Sequence, residues 1–235
     1  MNKTKDFHLK QFSIYGGKSG MAVSTDGILL GAWADLKESQ TILDIGTGTG
    51  LLALMCAQRA KNAQITALDI DSDAIAAATE NVKKSPWPDR ISVIHSNIHQ
   101  YQPIARFESI ICNPPYFNSG ETTNWQARAT ARHTHSLSHQ DLLNDCQRLL
   151  QPTGEAHFIL PKVEGEQFIE MAQGQGWFVR TLCRVNTTKR KPCYRLLFTL
   201  TRQSVECHES ELTINQDNGY SPEYIALTKD FYLKM

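Results

Sequence analysis

Asn113-Pro114-Pro115-Tyr116 is the stretch of this chain with the most pointed chemistry. Asparagine before proline is pushed into an extended conformation, and Pro114 before Pro115 is restricted in the same way, so the tetrapeptide is a stiff finger. Neither proline has an N–H, which leaves carbonyls and the Asn113 amide to face whatever docks there. A planar exocyclic amine is a poor nucleophile because its lone pair is delocalised into the ring. If the Asn113 side-chain oxygen and the Pro114 carbonyl each accept one N–H, the nitrogen is drawn toward tetrahedral and its lone pair can attack. Tyr116 can stack on a ring brought into the pocket, worth on the order of 1–3 kcal/mol. Catalysis of this kind is in-line displacement driven by positioning and fixed dipoles, with no metal and no covalent intermediate.

A second group of residues has the makings of a ligand cradle. In Thr41 to Leu52, T-I-L-D-I-G-T-G-T-G-L-L, Asp44 precedes Gly46, Thr47, Gly48 and Gly50. Glycines permit φ > 0 and let the backbone approach a ligand closely. A dinucleotide fingerprint is spaced G-x-G-x-x-G, whereas the spacing here is G-x-G-x-G. The Asp44 carboxylate would repel a pyrophosphate but accept a hydrogen bond from an ammonium group. Asp69, with Ile70 after it, ends the next apolar run, where a carboxylate can accept both hydroxyls of a ribose. Asn97 and Ile98 follow a third such run.

These residues need strands and helices to bring them together. The pattern predicts strands at 41–45, 64–68, 91–95, 107–112 and 155–160. Helices are predicted from Leu51, over 73–84 with Ser72 as cap, over 138–150 and over 163–175. Long β-rich runs at 177–186 and 194–201 read as an antiparallel pair, 212–215 as a minor strand, and 223–233 as a last helix after Ser221-Pro222. Five strands separated by helices and then a hairpin give an α/β, Rossmann-like, seven-stranded and mostly parallel sheet with helices on both faces. Ligands of such sheets bind beyond the carboxyl ends of the strands. The glycine loop, Asp69, Asn97 and Asn113 should therefore share one crevice.

Length and composition bound the rest. The 235 residues suit one domain, with 1–23 as an N-terminal extension whose lysines could fold over the crevice. The formal net charge of zero gives no global pull toward nucleic acid, so such binding must come from a local patch. No apolar run approaches bilayer-spanning length and the start lacks the apolar core of a signal peptide. Cys56, Cys112, Cys146, Cys183, Cys193 and Cys207 include no C-x-x-C pair, as expected of free thiols in a reducing cytoplasm. His133, His135 and His139 have a metal-like spacing, but no cysteine or acid completes a set, and no metal is expected. From Arg180 to Arg202 there are seven basic residues, among them Lys189, Arg190, Lys191 and Arg195, and no acid. Such a hairpin either tracks an RNA backbone or protects a solvated sheet edge. Arg128 and Arg132, after the finger, either grip phosphate or are surface charges.

D-I-G-T-G-T-G resembles the cofactor loop of class I S-adenosylmethionine methyltransferases, and N-P-P-Y resembles the motif of those acting on adenine N6, guanine N2 or protein glutamine N5. The segments S-T-D-G-I-L-L-G-A-W-A (24–34), S-P-W-P-D-R-I (85–91), N-P-P-Y-F (113–117) and A-L-T-K-D-F-Y-L (226–233) are similar to the bacterial family that methylates the adenine beside the anticodon of tRNA1(Val). The resemblance implies S-adenosylmethionine as cofactor, tRNA as partner, and Asn97 as acceptor for the cofactor's adenine amine, where relatives often carry an acid. A monomeric cytoplasmic enzyme is expected. A glutamine-N5 protein methyltransferase, a guanine-N2 rRNA enzyme and a non-catalytic RNA-binding protein of the same fold remain as alternatives.

Overall fold

The computed structural model describes residues 5–17, 22–36, 38–114, 137–217 and 219–234. Pro115, Tyr116, Arg128, Arg132, His133, His135, Lys3 and Lys18 lie outside the described residues.

Apolar runs bounded by glycine, proline and aspartate build the central sheet. Strands β3 (Thr41–Ile45), β4 (Gln64–Asp69), β5 (Ile91–His95), β6 (Phe107–Cys112) and β7 (Leu150–Pro161) pair in parallel, in the order β7-β6-β3-β4-β5. Outside β7 lies β9 (Cys193–Thr201), antiparallel to both β7 and β8 (Phe178–Thr188). The antiparallel pair is the hairpin that the sequence predicts.

The sheet has nine strands among the described residues rather than seven. The minor strand grows to β10 (His208–Gln216), which pairs in parallel with β8, and β11 (Gly219–Tyr220) closes the edge. β10 covers backbone groups that β8 would otherwise leave unpaired. Its first four residues are exposed, so hydrophobic alternation marks only Leu212 and Ile214.

Helices α1 (Thr25–Trp33), α2 (Leu51–Arg59), α3 (Ser72–Lys83) and α6 (Pro222–Thr228) contribute to one buried cluster that also holds Ile42 and Ile111. Helices α4 (His139–Leu149) and α5 (Lys162–Gly174) bury Leu142, Leu143 and Phe168 in the other, around Leu43, Ile45 and Ile110. Alternate residues of β3 and β6 thus face opposite layers, as the pleat requires.

Several boundaries differ from the sequence reading, three of them with a visible cause. Asp71, not Ser72, caps α3: its Oδ1 accepts from the backbone N–H of Asp73 at 2.7 Å and of Ala74 at 3.3 Å. β7 starts at Leu150 and runs through Pro152 and Gly154, with a register shift against β6. There the backbone passes so close that a Cβ on Gly154 would lie 2.8 Å from the Glu108 carbonyl. α6 ends at Thr228, because the following residues turn to meet the N-terminal hairpin of β1 (Phe7–His8) and β2 (Ser13–Ile14). Lys10 N–H donates to the Phe231 carbonyl at 2.8 Å, and Leu9 bridges Tyr232. Leu9, Phe12 and Ile14 are buried in the same core, so this hairpin is an integral part of the α1–α2 layer.

Candidate active site

Sheet register brings the chemistry together. Ile45 of β3 is the Cα partner of Leu68 in β4 and of Cys112 in β6. The residues one step beyond are Gly46, Asp69 and Asn113, at the carboxyl ends of three adjacent strands. Neighbouring strands lie about 4.8 Å apart, so the three backbones leave the sheet side by side. Asp69 is in turn the partner of His95 in β5, two residues before Asn97. The predicted crevice is thus formed from one rim of the sheet.

The loop after β3 is held open by its glycines. Gly46, Gly48 and Gly50 have φ of 70°, 59° and 83°. Gly46 and Thr47 both donate backbone N–H to the Leu68 carbonyl, at 2.9 and 3.0 Å. Among the described residues, nothing lies within 4 Å of a Cβ built on Gly46, which leaves the backbone there open to a ligand. Gly50 is the N-cap of α2 and has no side chain with which to cap it. Asp44 reaches up from β3 to do so: its Oδ2 accepts from Ala53 N–H at 3.0 Å and from Thr47 Oγ1 at 2.6 Å. Its Oδ1 is buried without a hydrogen-bond partner among the described residues. Burial pushes the Asp44 carboxyl up to about 7 against the pull of those two hydrogen bonds, with the nearby Asp69 adding to the rise. Asp44 is thus a cap and an unsatisfied acceptor at once, and a cation is what its free oxygen lacks.

Asp69 accepts from Gly48 N–H at 2.8 Å through Oδ2 and from Asp71 N–H at 3.0 Å through Oδ1. Burial raises its pKa despite these bonds. The next residue, Ile70, is 43% exposed and offers an apolar surface on the crevice rim. Asn97 caps the short 3-10 turn Ile98–Gln100, its Oδ1 accepting from His99 N–H at 3.0 Å. A carbonyl oxygen has two lone pairs, so one remains for a ligand. Ile98 is buried beneath the turn. Cys112, at the end of β6, has its thiol held well above the usual range by burial and by Cys146, Asp44 and Asp69, so it stays neutral beside the site. Asn113 is half-buried and Pro114 is buried.

Two supports of the site went unread in the sequence. Asn81, fully buried on α3, donates from Nδ2 to the carbonyls of Thr49 and Tyr15 at 2.9 and 3.2 Å, and its Oδ1 accepts from Tyr15 N–H at 2.9 Å. It fastens the glycine loop to the N-terminal segment. Arg148 on α4 donates to the carbonyls of Ile98 and Tyr101, at 2.8 and 2.7 Å, while pairing with Asp145, which also meets His99. That cluster fixes the Asn97 turn. The only local hint of Asn81 was a polar residue on the inward face of an alanine-rich helix.

The basic hairpin divides in two. Arg180 pairs with Glu155, Arg184 with Glu209, and Arg195 Nε donates to Asp26 Oδ2 at 2.8 Å. Arg195 is therefore turned into the fold, bracing α1 against β9. Lys189, Arg190 and Lys191 form the exposed tip between β8 and β9, at the same rim of the sheet as Gly46. Among the described residues no grouping of histidine, cysteine and acids could hold a metal, and no helix is long and apolar enough to cross a membrane.

Residues 27–175 match the family model for the methyltransferase small domain. The chain is 57% identical over 233 residues to the tRNA1(Val) (adenine(37)-N6)-methyltransferase of Vibrio campbellii, covering 99% of this chain and 98% of that protein. It is 55% identical over 231 residues to the protein of the same name from Vibrio cholerae, covering 98% and 96%. The chain belongs to this methyltransferase family. Solved structures agree on its fold. A protein from Agrobacterium tumefaciens described as a predicted O-methyltransferase superposes with a TM-score of 0.71 at 16% identity, covering 88% of this chain and 96% of that one. The glycopeptide N-methyltransferase MtfA, complexed with S-adenosylmethionine, gives 0.56 at 12% identity, covering 77% and 100%. In the order β7-β6-β3-β4-β5 the strand sequence reverses between β3 and β6, so the glycine loop and Asn113 flank the switch point at which ligands of open α/β sheets bind.

Proposed function

We propose that the protein uses S-adenosylmethionine to methylate the exocyclic N6 of an adenine in tRNA, the adenine 37 of tRNA1(Val) after which the Vibrio relatives are named. The observation that carries this reading is the register of Ile45 with Cys112, which sets Asn113 beside Gly46.

The residues present fit the cofactor. The unpartnered Oδ1 of Asp44 can accept from its ammonium group, Gly46 leaves room for its amino-acid portion, and the Asp69 carboxylate can take ribose hydroxyls. Ile70 and the Asn97 turn flank the place for its base. When bound, the cofactor supplies a methyl group on a positively charged sulfur. The two carboxylates give the crevice a negative field that favours that charge.

The chain's part is to prepare the nucleophile. Asn113 and Pro114 offer an amide oxygen and a backbone carbonyl, both acceptors, to the two hydrogens of the adenine N6. Holding both hydrogens draws the nitrogen out of conjugation and exposes its lone pair, and the nitrogen sheds one proton to solvent after the bond forms. Rate comes from positioning and fixed dipoles. An anticodon-loop adenine must first leave its stack, which suits a single-stranded region.

The test is to incubate the protein with labelled S-adenosylmethionine, tRNA lacking the modification and a cell extract, and to separate RNA from protein. Label in N6-methyladenosine of tRNA is expected. Label confined to protein would overturn the reading in favour of a glutamine-N5 enzyme, and label in guanine would favour a guanine-N2 enzyme.

A further inference from the structure

On the same rim of the sheet, past the N-terminus of α1, lies a cleft of about 340 Å³ that the proposed reaction does not use. Four tyrosines line it, Tyr194, Tyr220, Tyr224 and Tyr232, together with Thr25 and Asn215. They come from β9, β11, α6, the C-terminal tail, α1 and β10, so the cleft is assembled by long-range folding.

The rings are held in place. Tyr224 is buried, its N–H capped by Ser221 Oγ at 3.0 Å, and its hydroxyl lies 3.2 Å from that of Tyr232. Tyr220 lies over Tyr224 with ring centroids 5.0 Å apart and planes 35° from parallel. The Arg195 guanidinium, itself paired with Asp26, sits 4.8 Å from the centre of the Tyr194 ring. Tyr220 alone of the four stands out to solvent, at 50% exposure. An aromatic this exposed beside a preformed cleft is a surface waiting for a flat partner.

Charge says what kind of partner. Thr187 lines the cleft, and two residues on begins the exposed Lys189-Arg190-Lys191 tip, closed by a bond from Lys191 N–H to the Thr188 carbonyl at 3.1 Å. Aromatic rings next to clustered cations are the pairing that grips single-stranded nucleic acid, rings on bases and cations on phosphates. The cleft is also close to the reaction. Gly27 packs so tightly on Leu51, the residue after Gly50, that a Cβ would lie 2.8 Å from its Cδ2, and Thr25 is only two residues away. The N-terminus of α1 thus separates the cleft from the glycine loop.

We propose that this cleft receives a second unstacked base of the RNA substrate, near the target in sequence, against Tyr220, with the Lys189–Lys191 tip on its phosphates. The proposal rests on the tRNA reading above and adds to it a place for a base that is not methylated. Such a subsite sets which loop sequences are accepted.

Fluorescence anisotropy with an anticodon stem-loop reads the cleft without requiring methyl transfer. Tyr220→Ala should weaken binding roughly ten-fold, the effect of losing one base–aromatic stack, with the affinity for S-adenosylmethionine unchanged. Tyr220→Phe, which keeps the ring, should bind like wild type. Stem-loops with one abasic position at a time should reveal a single position whose loss weakens wild type by the same factor and Tyr220→Ala no further. Unchanged binding by Tyr220→Ala, or losses that simply multiply at every abasic position, would overturn the proposal. Wild-type protein that binds the stem-loop but leaves its adenine unmethylated would instead overturn the function proposed above.

Discussion

Replacing Asp44 by asparagine should make the ligand-free protein more stable at alkaline pH while weakening its hold on the cofactor. The Asp44 carboxyl is fully buried and is pushed from 3.8 to about 7, chiefly by desolvation. Between those values the folded protein binds a proton that the unfolded chain has released. This group's contribution to stability is therefore complete below pH 3.8 and is lost as the pH rises through about 7. At about 1.4 kcal/mol per pKa unit, the loss between roughly pH 5 and pH 8 comes to about 2–3 kcal/mol. Asparagine does not titrate and keeps an oxygen for Thr47 or Ala53. The stability of Asp44→Asn relative to wild type should therefore grow by that amount over the interval. For a chain of this size the gap in Tm widens by about 5–10 °C. Thermal unfolding of both ligand-free proteins at the two pH values measures it. Parallel curves, with the gap unchanged between the two pH values, would refute the reasoning. Titration of the same variant with S-adenosylmethionine should show at least a roughly ten-fold loss of affinity at the higher pH, where wild type offers a full negative charge.

Asn113→Ala should lower turnover by orders of magnitude and leave cofactor affinity nearly intact; single-turnover methylation with calorimetric titration separates the two, and normal turnover would remove the role given to that side chain. Changing Lys189, Arg190 and Lys191 together to alanine should flatten the slope of log K for tRNA against log salt by about 2, at roughly 0.7 per single-strand phosphate contact. An unchanged slope would place the RNA elsewhere. Asn81→Ala strands the Thr49 carbonyl and both backbone groups of Tyr15, which should cost about 2–4 kcal/mol in urea unfolding and raise the KM for S-adenosylmethionine. Wild-type values in both measurements would show that the loop needs no such fastening.

What could be read from the sequence was what is local in it. Thr41 to Leu52 declares strand, turn and helix by composition, and the ends of four strands follow from apolar runs that stop at Gly46, Asp69, Ser96 and Asn113. Parallel pairing then forces those ends to one rim, so the crevice came with the fold. What stayed hidden involves partners far apart in the chain. Arg195 looks like one more cation in a basic run until Asp26, 169 residues earlier, is seen against it. Asn81 meets Tyr15 across 66 residues, and the four tyrosines of the second cleft come from β9, β11, α6 and the C-terminal tail. β10 is hidden for a different reason: its solvent-facing half carries His208, Glu209 and Ser210, which look like loop and are held as strand by pairing with the edge of β8.

The alignment of Asn113 with Gly46 is fixed from below, by Ile42, Leu43, Ile110 and Ile111 in the two buried layers. Because side chains alternate along a strand, a single residue inserted in β6 would send the Asn113 carboxamide to the opposite face of the sheet with no catalytic atom altered. An insertion just past Pro114 leaves that alignment alone. The hydrophobic interior thus acts as the ruler for the chemistry.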